Sequence, residues 1–263
     1  MQDTIRDMMQ SMADEQQVII ETEELTKAYK TQVAVDHVSF KVMQGEVFGF
    51  LGPNGAGKTT TILMLLGLTE PTGGRVRVLG VDPTRDSIKV KGMVGYMPEN
   101  MGFYGDLDAV QSLRYVAELN NIPRDVAEGR IEAALNTVGL RDETKKKVAA
   151  YSRGMRQRLG LAELIVKEPK LAFLDEPTLG LDPDATNRMM DLIESLSSEK
   201  GMTIVLCSHF LHMVQRLCRR VGIMIKGKMV GQGSMDRLAQ EKLGLGAEEY
   251  TLEELYMKYF QET

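Results

Sequence analysis

The sequence predicts an α/β fold built around a mostly parallel sheet, and three observations carry that expectation. Residues 46–51, 171–175 and 203–207 are short, nearly apolar runs, as strands covered on both faces are. Segments with helical spacing separate them, so strand and helix alternate along the chain. Glycine-rich or polar stretches stand at the carboxyl ends of these runs, where such sheets collect their ligands.

Taken in order, residues 1–17 carry Asp3, Asp7, Asp14 and Glu15 and predict a disordered or loosely helical extension. Its Met8, Met9 and Met12 offer thioethers that suit Cu(I), against the plainer reading of a loose tail. Val18, Ile19 and Ile20, then Val33, Val35, Val38 and Phe40, predict short β segments. Gly45 and Glu46 mark a turn before the first apolar run. A glycine-rich loop follows, then a helix over about residues 59–67. Residues 71–74 read as a turn, 75–79 as a short strand and 94–97 as a strand end. Helical spacing over 113–120 and 127–138 predicts a mostly helical insert before strands resume. Residues 221–225 and 228–231, joined at Lys226 and Gly227, predict a strand-turn-strand. Short helices are expected from Asp236 and from Thr251.

Composition narrows the class. A chain of 263 residues suits one large domain, or a domain with a subdomain, and 43% hydrophobic residues can build its core. The net charge of -5 argues against a broad nucleic-acid footprint. No apolar run approaches the roughly 20 residues of a membrane-spanning helix. The acidic N-terminus does not read as a signal peptide, so the cytosol is expected. Cys207 and Cys218 lack metal-binding spacing and read as reduced, partly buried thiols.

Gly52, Pro53, Asn54, Gly55, Ala56, Gly57, Lys58, Thr59 and Thr60 match the phosphate-loop pattern in full, between a strand and a helix. Glycines let backbone N–H groups turn inward around phosphate oxygens, and the helix N-terminus adds positive potential. Lys58 would meet the β- and γ-phosphates, and the Thr59 hydroxyl would ligand Mg²⁺. Asp175 ends an apolar strand and Glu176 follows it. Asp175 can hold Mg²⁺, directly or through water, while Glu176 can orient and deprotonate a water. Adjacent acids at a strand end can also be a plain turn; the phosphate loop upstream favours the chemical reading. Together these residues specify a nucleoside-triphosphate-binding fold.

Further motifs narrow it. Tyr151, Ser152, Arg153, Gly154, Met155, Arg156, Gln157 and Arg158 open a helix just before the Asp175 strand, with Ser152 in a capping position. Leu179, Gly180, Leu181 and Asp182 follow that strand, and Ser208 and His209 end the next. With Tyr29 ahead of the phosphate loop and Glu99 after Pro98, this order resembles the ATP-binding cassette (ABC) family over about residues 18–240, and most of all its ABC-2-type exporter branch. The resemblance implies a P-loop NTPase core with an N-terminal antiparallel β segment, a helical subdomain at about 97–168 and a helical tail at 241–263.

The resemblance also implies roles. Tyr29 would stack on adenine, and Gly52 to Thr60 would bind the phosphates. Glu176 would be the general base, and His209 would hold the γ-phosphate and the attacking water. Thr59, Asp175 and Glu99 would hold Mg²⁺. Ser152, Gly154 and Asp182 would act in trans, on ATP bound to a second copy of the chain or a homologous ATPase. Glu99 stands where the family usually has glutamine, Arg153 where it has the first signature glycine, and Met155 where it has the signature glutamine. The implied activity is ATP hydrolysis driving a separately encoded transmembrane permease from the cytoplasmic face of the membrane, with no nucleic acid. Residues 99–115 are where the family couples to that permease. A soluble ABC ATPase acting on ribosomes or DNA is the alternative; those usually carry two cassettes or long coiled-coil inserts, which this chain lacks. A P-loop kinase or GTPase should lack the Ser152 segment and His209. Segments around Pro98, Tyr151 and Val205 are also similar to the ATPase of the copper-maturation transporter for nitrous-oxide reductase. Drug, lipid and polysaccharide exporters are close as well, and the cargo is left open.

Overall fold

The computed structural model describes residues 17–244 and 250–261. Apart from Gln17, the expected N-terminal extension lies outside the described residues.

β1 (Val18–Tyr29) and β2 (Gln32–Met43) are each 12 residues long, not the short strands expected. Two features hid their length. The outward face is polar, and Glu24 sits at φ 51 where the β1–β2 register shifts. The inward set passes there from Ile20 and Thr22 to Leu25, which breaks strict alternation. Thr22 is satisfied inside: its hydroxyl donates to the Val38 carbonyl at 3.1 Å and accepts from Phe40 N–H at 3.0 Å. With β4 (Gly73–Val78), these strands form a three-stranded antiparallel sheet in the order β2-β1-β4.

The second sheet has six strands in the order β5-β6-β7-β3-β8-β9. These are β3 (Val47–Leu51), β5 (Val94–Met97), β6 (Leu171–Asp175), β7 (Thr203–Ser208), β8 (Arg220–Ile225) and β9 (Lys228–Ser234). All neighbours are parallel except β8 and β9, which are antiparallel. The predicted mostly parallel sheet and N-terminal antiparallel segment are both present.

The sheet is apolar on both faces. Leu51, Leu174, Leu206 and Ile223 belong to one buried cluster, and Phe48, Phe50, Phe173 and Val205 to the other. The second cluster joins the two sheets. Phe50 is fully buried there, its ring edge-on to Phe40 at 4.9 Å and to Phe48 at 5.4 Å. Phe50→Ala is expected to lower stability by about 3–5 kcal/mol. Urea denaturation would read this directly, and a loss below about 1 kcal/mol would show that the site collapses around the missing ring.

Helices are α1 (Lys58–Leu65), α2 (Ser87–Met93), α3 (Ala109–Leu119), α4 (Arg124–Thr137), α5 (Arg153–Lys167), α6 (Pro183–Ser198), α7 (Leu211–Leu217), α8 (Met235–Leu243) and α9 (Leu252–Gln261). α3, α4 and α5 make the helical insert between β5 and β6. α3 begins earlier than its apolar spacing suggested, because Asp108 and Gln111 form a capping box. The two tail helices begin near Asp236 and Thr251 as expected.

Glu163 lies on α5 between buried Ala162 and Leu164 and makes no ion pair with a described residue. Burial pushes its carboxyl up to about 7. The folded state therefore disfavours the ionised form, so stability falls as pH rises from the ordinary carboxylate range through about 7. Glu163→Gln should remove that loss and raise stability at pH 8, relative to pH 5.5, by about 1–2 kcal/mol. Urea midpoints at the two pH values would test it; an unchanged difference would overturn it.

Candidate nucleotide site

The phosphate loop leaves β3 and enters α1. Leu51 of β3 is registered with Ser208 of β7, and Asp175 of β6 with Cys207. Three carboxyl strand ends thus lie abreast, and the loop, Asp175–Glu176 and Ser208–His209 meet there. Gly57 has φ +105, and a Cβ on it would fall 2.4 Å from the Ala34 carbonyl oxygen. A Cβ on Gly52 would fall 2.4 Å from the Met224 carbonyl oxygen. Only glycine fits either position.

Lys58 is 6% exposed, and its Nζ donates to the Gly52 carbonyl at 2.7 Å. It lies 3.7 Å from Glu176 Oε1. The Thr59 hydroxyl donates to Asp175 Oδ2 at 2.8 Å. Burial raises the Asp175 pKa, and the Thr59 bond opposes that. Glu176 and Glu99 push it further up, while Lys58 pulls it down. A cation beside Asp175 would reverse this balance.

Glu176 is buried and held at φ 50, a left-handed conformation that costs a non-glycine residue about 1–3 kcal/mol. The carboxylate is fixed from several sides. Oε1 lies 2.9 Å from His209 Nδ1, and Oε2 accepts from the Ser208 hydroxyl at 3.3 Å and from His209 N–H at 3.4 Å. Ser208 is a partner that motif reading left without a role, although its neighbour His209 stood out.

The cleft over the loop has a volume of about 410 Å³ and is lined by Tyr29, Asn54, Lys58, Thr59, Glu99 and Glu176, among others. Tyr29 ends β1 and is 47% exposed, with Lys27 Nζ 4.9 Å from its ring centroid. No sequence signal pointed to Lys27. Glu99 is exposed two residues beyond β5.

Ser152, Gly154 and Asp182 are elsewhere. They line a separate pocket of about 300 Å³ that shares no residue with the cleft. Ser152 Oγ accepts from Met155 N–H at 3.2 Å, capping α5, and Asp182 Oδ1 accepts from Ala185 N–H at 2.8 Å, capping α6. The structure brings Tyr29, the loop, Glu99, Asp175, Glu176 and His209 together and leaves these three apart.

The oxygen donors fit Mg²⁺. Thr59 Oγ1 and Asp175 Oδ2, 2.8 Å apart, match the edge of a magnesium octahedron, about 2.8–3.0 Å for ligands at about 2.0–2.1 Å. Among the described residues, no group of three His, Cys, Asp or Glu side chains could hold a metal alone. Mg²⁺ usually takes one or two carboxylates and completes its shell with substrate phosphate and water.

A glycine loop opening a helix, a lysine and a hydroxyl in that helix's first turn, and two consecutive carboxylates at the end of a neighbouring parallel strand define a P-loop nucleoside triphosphatase. Comparison with known proteins gives the family. The ABC transporter family model matches residues 35–179. The bacitracin transport ATP-binding protein BcrA of Bacillus licheniformis is 43% identical over 220 residues, covering 84% of this chain and 71% of that protein. A solved ATP-binding subunit of an ABC transporter superposes with a TM-score of 0.83 at 29% identity, over 92% of this chain and 99% of that one. The CbiO1 protein of Clostridium perfringens, part of the ABC transporter complex cbiONQ, superposes with a TM-score of 0.75 at 26% identity, over 94% and 99%. The chain belongs to the ABC transporter family, as an ATP-binding subunit that hydrolyses ATP. None of its described helices is long and apolar enough to cross a membrane.

Proposed function

We propose that two copies of this chain, or one copy and a homologous ATPase, close head to tail around two ATP molecules and thereby drive a separately encoded permease, an ABC-2-type exporter. The observation that carries the reading is the division of the site. Ser152, Gly154 and Asp182 line one pocket, which shares no residue with the cleft over the phosphate loop of their own chain. A twofold arrangement lets each face complete the other.

In this reading Tyr29 stacks on the adenine and residues 52–60 wrap the phosphates. Thr59, Asp175 and Glu99, the last through water, hold Mg²⁺, which supplies charge neutralisation on the phosphate oxygens. Glu176 Oε1 takes a proton from the attacking water as its oxygen bonds to the γ-phosphorus and the bond to the β-phosphate oxygen breaks. His209 holds Glu176 in place and faces the γ-phosphate. Lys58, with Ser152 and Gly154 of the second copy, stabilises charge in transfer. ATP favours closure because its γ-phosphate contacts are complete only there, and hydrolysis removes that difference. Residues 18–240 are taken as the cassette, 97–168 as its helical subdomain and 241–263 as a tail. BcrA's role in bacitracin transport and CbiO1's place in a transporter complex support a membrane partner, and with it a position at the cytoplasmic face.

Dilution tests the sandwich. ATPase activity per subunit is expected to fall steeply as protein concentration drops below the dimer dissociation constant. Constant specific activity over a thousand-fold dilution would overturn the two-copy site. Pull-down of the tagged chain from membranes should recover a polytopic protein; recovery of ribosomes instead would overturn the transport role.

A further inference from the structure

The pocket that holds Ser152 and Asp182 is more cationic than its signature motif requires. Arg153, Arg158 and Arg188 line it, and Asp182 is the carboxylate among its lining residues. Asp182 is engaged in capping α6. Arg158 is held from inside, Nη1 donating to the Val138 carbonyl at 3.0 Å and to the Gly139 carbonyl at 2.9 Å. Burial lowers its pKa, and Arg188 lowers it further, which places the Arg188 charge close by. Arg153 and Arg188 make no ion pair with a described residue.

Arg153 is seated rather than free. A Cβ on Gly180 would fall 2.9 Å from Arg153 Nε and 3.0 Å from its Cζ. The guanidinium therefore lies directly over the Gly180 turn, whose φ of +72 already favours glycine. Arg153 stays exposed, and the absence of a Cβ at Gly180 leaves room for its guanidinium there. Guanidiniums from α5 and α6 that line one pocket, Arg153 at the N-terminus of α5, repel one another until an anion arrives. The forked donors of arginine suit phosphate oxygens better than a point charge does.

We infer that Arg153 and Arg188 form a guanidinium clamp on the γ-phosphate end of ATP bound to a second copy's phosphate loop, with Gly180 as the seat for Arg153. The inference rests on the two-copy reading and adds to it Arg153, inside the Ser152–Gly154 segment, and Arg188, outside it. It also turns the departure at position 153, where the resembled family has glycine, from a defect into a charge contribution. Loss of the γ-phosphate on hydrolysis would remove the clamp's ligand, so the clamp favours the ATP-bound closed dimer over the ADP-bound one.

The test uses the full chain in a Glu176→Gln background, with ATP-driven dimerisation followed by sedimentation. Arg153→Gln, Arg188→Gln and the double variant are compared with the parent at low and high salt. The double variant is expected to need at least ten-fold more ATP for half-maximal dimerisation and to lose much of the parent's salt dependence. Binding of a fluorescent ATP analogue to dilute monomer should stay within about two-fold, because the clamp does not touch its own chain's cleft. Arg188 is exposed on α6, so its single variant keeps the test valid if position 153 proves necessary for folding. A double variant that dimerises with the parent's ATP and salt dependence would overturn the clamp while leaving the sandwich intact. A parent that never dimerises would overturn both.

Discussion

Glu176→Gln is expected to bind ATP at least as well as the wild-type chain, to lose about 10²–10⁴-fold in turnover and to accumulate as an ATP-bound dimer. The structure gives the reasons. Glu176 is buried, and its carboxylate is held by His209, the Ser208 hydroxyl and the backbone of His209. Glutamine has the same shape: its carbonyl oxygen can keep the bonds from the Ser208 hydroxyl and His209 N–H, and its NH2 can donate to His209 Nδ1 when that imidazole carries its proton on Nε2, so the backbone at φ 50 has little new reason to relax. What changes is charge and basicity. The amide cannot take a proton from water, which removes general-base catalysis. It also removes one negative charge 3.7 Å from Lys58 and close to where the γ-phosphate must sit, so the triphosphate meets less repulsion. With hydrolysis blocked, the interactions that favour closure persist. Single-turnover kinetics and sedimentation with ATP would measure both effects. Steady-state hydrolysis within ten-fold of wild type would assign the base to another group.

How much of this site is readable from the chain depends on whether backbone or tertiary geometry imposes the requirement. The phosphate loop was fully legible because phosphate binding demands glycines, a lysine and a hydroxyl at fixed spacing within one short segment; the approach of the Met224 and Ala34 carbonyls to Gly52 and Gly57 is a further, tertiary reason for glycine there. The fully buried strands were legible because a strand covered on both faces leaves an unbroken apolar run, as residues 171–175 do. β1 and β2 were seen only in fragments; in β1 a polar Thr22 sits on the inward face, and exposed Glu23 and Glu24 carry the strand through a bulge. Three helices went unexpected. α6 had its signal, an Asp182 cap with Pro183 at the first helical position. The short α7 lacks a side-chain cap at Phe210. α2 is also short, although Asp86 caps it. The left-handed Glu176, the Ser208 contact and the seat of Arg153 over Gly180 come from contacts between distant segments, which no local pattern encodes.

The division of the site between two pockets has a sharper consequence. Ser152→Arg is expected to leave ATP affinity of the monomer nearly unchanged and to abolish hydrolysis, because Ser152 lies outside the cleft that binds its own nucleotide. Losing the Ser152 cap on α5 costs about 1 kcal/mol, too little to unfold a domain of this size. Lys58→Ala fails for the opposite reason: its own cleft loses the charge that meets the phosphates, while its Ser152 face remains whole. Each variant alone is therefore inactive. Mixed, they should recover activity. In a heterodimer, one site combines both lesions, but the other pairs the intact phosphate loop of the Ser152→Arg chain with the intact Ser152 of the Lys58→Ala chain. If subunits assort randomly, half the dimers are mixed and each has one sound site of two, so recovery should approach about a quarter of wild-type activity where the sites work independently. Strict coupling of the two sites would lower that figure toward zero, and ATP-dependent heterodimer formation measured in parallel separates this case from a failed sandwich. Full activity of Ser152→Arg alone would mean that each chain completes its own site, against the separation of the two pockets.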